Sequence, residues 1–161
     1  MTRDTGIEHG PGDRAARNLR RVLALNAASS AGTGALMALF AGPLGRLFVP
    51  DGGTLLGLSP AAWILATGLG LLPFAAMVAL AAARTVPPRG GVGAIIVLDG
   101  AWVAGSALLL VLAGTALTWP AWIAIIVVAD AVALFAFLQA RFLRRLDPGP
   151  ARRGGALGVS A

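Results

Sequence analysis

The sequence predicts an all-α fold, a membrane-embedded four-helix bundle, and three observations predict it. Four apolar runs are each long enough to cross a bilayer. Separators rich in Gly and Pro divide them. Nearly all the positive charge falls on one alternating set of separators and ends. The composition agrees. Of 161 residues, 57% are hydrophobic and 12% are charged, whereas a soluble domain carries about 25% charged residues. That surplus of apolar side chains needs lipid as its solvent. Cysteine is absent, which excludes disulfides, thiolate metal sites and a cysteine nucleophile.

The runs follow in order. Residues 1–18 read as a disordered, arginine-bearing tail. The transmembrane domain occupies 19–145, with spans at about Leu19–Ala41, Pro60–Ala83, Val92–Ala116 and Trp119–Ala140. A crossing needs roughly 20 apolar residues at about 1.5 Å of rise each. Without water, every backbone group must bond internally, so only helices or a closed barrel can span. Barrel strands alternate polar and apolar side chains, and runs such as LLLVLAG do not. Pro43–Ser59 separates the first two spans and contains two proline breaks. Its segment Pro43–Val49, with Leu44, Leu47, Phe48 and Val49 around Arg46, reads either as a short interfacial helix or as loop. TVPPRGG (Thr85–Gly91) cannot remain helical through consecutive prolines. Gly114–Thr118 is a tight turn. Residues 146–161 read as a second disordered tail. The first span is longer than a signal-peptide core and is interrupted by Asn26, Ser29, Ser30 and Thr33, so it is read as retained.

Arginine sets the expected threading. All 13 basic residues are arginines. Arg3, Arg14, Arg17, Arg20 and Arg21 precede the first span. Arg84 and Arg89 flank the middle loop. Arg141, Arg144, Arg145, Arg152 and Arg153 follow the last span, and only Arg46 falls opposite. The positive-inside rule therefore puts both termini in the cytoplasm. Trp63, Trp119 and Trp122 sit at the outer helix ends, where an aromatic belt belongs. Arginine without lysine, beside heavy Ala and Gly use, points to a GC-rich bacterial coding sequence and so to the inner membrane. The arginines flank apolar runs instead of lining a soluble face, so nucleic acid is not an expected partner.

The two halves resemble each other. LNAASSAGTGAL (Leu25–Leu36) aligns with LDGAWVAGSALL (Leu98–Leu109) through the pattern [ND]-x-A-x-x-x-G-[ST]. The second span of each half opens similarly, PAAWI against PAWI. The reading is two tandem two-helix repeats in parallel orientation, related by a pseudo-two-fold axis along the membrane normal.

The polar residues inside the spans are the candidate sites. Asn26, Ser29, Ser30 and Thr33 share one helical stripe, and Asp99, Trp102 and Ser106 share another. Both stripes begin at matched depth in the arginine-bearing half. An unpaired polar group in hydrocarbon costs several kcal/mol, so the stripes are expected to face each other, with Asn26 bonded to Asp99. Asp130 is the second intramembrane acid, about eleven residues beyond Trp119. Neither acid has a basic residue within a turn on its own helix. Asp99 and Asp130 are thus candidate proton or cation sites, with Asn26, Ser30, Thr33 and Ser106 lining a polar path. They serve equally as helix–helix glue, each bond worth about 1 kcal/mol. Small residues at four-residue steps (Ala62, Ala66 and Gly70; Ala101 and Gly105) mark expected close contacts, and Pro73 an expected kink.

No metal or cofactor is expected. His9, the only histidine, lies in the tail, and no serine has a histidine or lysine base nearby. An enzyme is therefore not the reading. LDGAWVAGSALL, LNAASSAGTGAL and the closing ADAVALFAFLQARFLRR resemble small bacterial four-span membrane proteins of uncharacterised function. That resemblance implies four spans and supplies no activity. Small multidrug carriers also have four spans but rely on a membrane glutamate in the first, where this chain has Asn26. The expectation is an integral membrane protein serving as a subunit or regulator of a membrane complex. The alternative is a small proton-coupled transporter using Asp99 and Asp130. Its expected company is the lipid bilayer, with a second copy or another membrane protein.

Overall fold

The computed structural model describes residues 11–54 and 57–146. The tail expectations for residues 1–10 and 147–161 lie outside the described residues. Five helices follow in order: α1 (Pro11–Leu39), α2 (Ala41–Phe48), α3 (Pro60–Ala83), α4 (Arg89–Ala113) and α5 (Trp119–Arg145). A 3-10 turn at Gly114–Ala116 joins α4 to α5. Four of the helices, all but α2, are long and apolar enough to cross a membrane.

The spans stand close to where the hydropathy puts them, with two corrections. α1 starts at Pro11, within the stretch expected to be disordered tail. A proline in the first turn costs no helical hydrogen bond, and Asp13 there suits the helix dipole. Ala15 of this extension is buried, one turn before the buried Leu19 of the span, so packing holds it. α5 likewise runs on to Arg145, adding a turn and a half of arginine-bearing helix. Segment Ala41–Phe48 is helical, with Val49 as its C-cap, so Pro43–Phe48 is helix and not loop. α2 lies across the tryptophan end and is fastened to the start of α5: Thr118 donates through Oγ1 to Leu47 O at 2.9 Å and through N to Phe48 O at 3.0 Å. Ser59 caps α3 by accepting from Ala62 N at 3.2 Å, an N-cap bond of the usual kind. α3 stays one helix through Pro73.

Helices α1 and α3 form one antiparallel hairpin and α4 and α5 another. The two hairpins join mainly where α1 lies along α5. α3 and α4 barely meet, so packing does not reproduce the even pairing that a symmetric duplication implies. The apolar core sits at the arginine end. Leu19, Leu23, Val78, Val92 and Ile95 are sealed there, with Phe142 and Leu143 of α5 against them. Arg20 Nε donates to Ala82 O at 3.0 Å, satisfying a carbonyl at the end of α3 that the helix itself leaves unpaired. Arg89 Nη2 donates to Leu146 O at 3.0 Å. Toward the other end the bundle loosens.

The close helix contact is not the one the small-residue spacing suggested. Ala66, Gly70, Ala101 and Gly105 are exposed. The backbones of α1 and α3 instead meet at Gly34 and Gly68. A Cβ on Gly68 would stand 2.7 Å from Gly34 O and 2.8 Å from Ala38 N. Only hydrogen fits in that space, so glycine permits the approach.

Candidate functional site

The buried polar residues of the bundle converge on Asp99. Asn26 Nδ2 donates to Asp99 Oδ2 at 2.9 Å, the contact that the matched stripes predict. Ser30 Oγ donates to Asn26 Oδ1 at 3.2 Å, one helical turn along α1. Gln139 Nε2, from α5, donates to the same Asp99 Oδ2 at 3.3 Å. Asn26 and Gln139 are fully buried, and Asp99 is 2% exposed. Two helices, α1 and α5, thus each bring one amide donor to a single carboxylate oxygen on a third, α4. Such a network orders the helices because each unmade bond would strand a buried group.

The cluster is incomplete in an informative way. Asp99 Oδ1 accepts no hydrogen bond and no basic side chain pairs with Asp99 among the described residues. Gln139 Oε1 and Trp102 Nε1 are buried without partners. On one side the cluster borders a cavity of about 370 Å³ between the four spans. Asn26, Ser30 and Thr33 of α1 and Asp99 of α4 supply its polar edge. Leu71 and Phe74 of α3, Leu98 and Trp102 of α4, and Val128, Ala131 and Val132 of α5 supply apolar wall. The cavity is not sealed: Ser29, Gly70, Leu98 and Val127 line it and are exposed.

The six sequence-predicted residues divide. Asp99, Asn26, Ser30 and Thr33 come together at the cavity. Ser106 stands about two turns further along α4, partly buried, and is not a lining residue. Asp130 stands apart from the other five. It is exposed on the outer face of α5, lines no part of the cavity, and has no partner among the described residues. The two acids therefore do not share this cavity. Asp130 and Gln139 are nine residues apart, which puts them on opposite faces of one helix, and the bundle turns the Gln139 face inward. Gln139 is the residue that sequence reasoning missed. Its signal was present: it is the only glutamine in the chain, set within an apolar run.

Among the described residues, no three His, Cys, Asp or Glu side chains gather to hold a metal. What the site offers is one carboxylate, neutral hydrogen-bond partners and an apolar chamber. No protein family, curated protein or solved structure matches the chain. The resemblance to uncharacterised four-span proteins thus adds no assigned role, and function must be argued from this site.

Proposed function

We propose that this integral membrane protein is a small proton-coupled carrier whose working group is Asp99. The observation that supports it is the pairing of a buried carboxylate with an adjoining open cavity. Simple helix glue needs the hydrogen bonds but no chamber. Here Asp99 Oδ2 is held by Asn26 and Gln139, Oδ1 accepts no hydrogen bond, and Asp99 itself lines the space. Intramembrane acids without a cation partner serve proton relays and carriers. The groups facing Asp99 are neutral on every helix around it: Asn26 and Ser30 of α1, Phe74 of α3, and Gln139 of α5. The arginines of α1, α4 and α5 stand at the helix ends. By the positive-inside rule the arginine end, with both termini, faces the cytoplasm.

Infrared difference spectra of the reconstituted protein between acid and alkaline buffer test the proton role. A carboxyl C=O band that appears in acid and vanishes in Asp99→Asn is the expected result. An Asp99 band that never changes across that range sinks the reading.

A second reading, a subunit of a membrane complex, draws on Asp130. An acid at the middle of a crossing helix costs roughly 2.5–3.5 kcal/mol when it faces lipid. α5 is also the least covered span, with 6% of its apolar window buried against 33% in α1. Protein against the Asp130 face would relieve both. The two readings are compatible, since a carrier of four spans gains room by assembling. Asp130→Leu is expected to leave the unfolding of the chain unchanged and to dissociate whatever assembly the wild type forms in mild detergent. A wild type that sedimented as a monomer would remove this second reading.

A further inference from the structure

The chemistry of the cavity narrows what it takes. Its one ionisable lining group is Asp99, and no basic side chain lines it. An anion or a phosphate ester would meet a carboxylate with nothing to neutralise it. A neutral apolar guest would leave Asp99 Oδ1 without a partner. A small hydrated cation would find few oxygen ligands, since the nearest polar neighbours already bond one another. A cation carrying its own apolar body satisfies every wall at once. Its charge stands at the free oxygen, and its body fills the space among Leu71, Leu98, Val128 and Ala131. Phe74 and Trp102 stand in the same wall, and aromatic faces attract organic cations. The volume of about 370 Å³ lies in the range of roughly 300–1,000 Å³ that holds small ligands.

We infer that the cavity binds an organic ammonium ion with an apolar body, its charge at Asp99 Oδ1. This names the substrate class of the carrier proposed above and rests on that reading for the proton exchange alone. The exchange balances: the protonated carboxyl releases one proton as one monovalent cation takes its place at the carboxylate. The ligand is a free organic ammonium ion and not a phospholipid headgroup, because a headgroup would bring its phosphate against the same uncompensated acid. The lateral exposure of Ser29, Gly70, Leu98 and Val127 gives an amphiphile a way in from between the helices.

The test uses the purified full chain, with benzyltrimethylammonium as the probe and neopentylbenzene as its uncharged isostere. Equilibrium dialysis should show saturable cation binding that the isostere does not displace. Asp99→Asn should weaken it at least tenfold, or about 1.4 kcal/mol, and Asp130→Asn should bind as the wild type does. Ala131→Phe fills the chamber with the acid intact and should also lose binding. Val128→Phe repeats that arm from another wall position should the first variant fail to fold. In weak buffer, binding to the wild type should release protons, and binding to Asp99→Asn should not. Equal displacement by the isostere, or undiminished binding in Asp99→Asn, overturns the inference. Cation binding at Asp99 without proton release keeps the ligand class and defeats the proton-coupled reading. An Asp99 carboxyl band that responds to pH in a protein that binds no cation keeps the proton reading and defeats the ligand class.

Discussion

Exchanging the two sides of the buried pair should rescue what one half of the exchange destroys. Asn26→Asp alone sets two carboxyl groups at the 2.9 Å separation now held by an amide and an acid. The amide donor is gone, leaving Ser30, Gln139 and any carboxyl proton to serve two acids. A buried acceptor left unsatisfied costs about 1–3 kcal/mol, and more where charge is involved. Asn26→Asp combined with Asp99→Asn restores one amide facing one acid. The double variant should recover most of the stability lost by the single one, measured by unfolding in mixed micelles. Asp99→Asn alone keeps a hydrogen-bonding partner at both positions and should fall between them. A double variant no more stable than Asn26→Asp would mean that the contact between α1 and α4 does not organise the bundle. The same series separates structure from function, because only the position of the acid beside the chamber changes in the double variant.

The second large effect is expected at Gly68. A valine there would drive its Cβ against Gly34 O and Ala38 N, at 2.7 and 2.8 Å. Both are backbone atoms of α1, so no side-chain rotation relieves the overlap. The helices must separate, at a cost of about 1–3 kcal/mol for overpacking. Gly105→Val is the matched control. Nothing lies within 4 Å of its added Cβ, so a change within about 0.5 kcal/mol is expected. Thermal melts in detergent compare the two directly. Equal melting temperatures would show that the close approach of α1 and α3 adds no stability.

Much of this was legible in the residues, and the reason is local chemistry. Apolar runs of crossing length, Gly- and Pro-rich separators and the uneven arginines need no neighbour to be read. Stripe periodicity was enough to bring Asn26 to Asp99, because two polar groups at matched depth in lipid have few other partners. The extension of α1 back to Pro11 was less legible. Charged residues lower the hydropathy of that stretch, while its helicity is supported by the burial of Ala15.

The order of residues alone carries the lipid-suited character of the chain, four candidate crossings, the end that gathers arginine and the positions of the polar residues along them. The packing of the helices set which face of each turns inward. It chose Gln139 over Asp130 on α5, put the close contact at Gly34 and Gly68, and opened the chamber beside Asp99. The physical reason is the solvent. In water an apolar stripe marks the buried face, but in lipid the inner and outer faces are both apolar. A spanning helix therefore carries little record of its rotation, and its neighbours supply it.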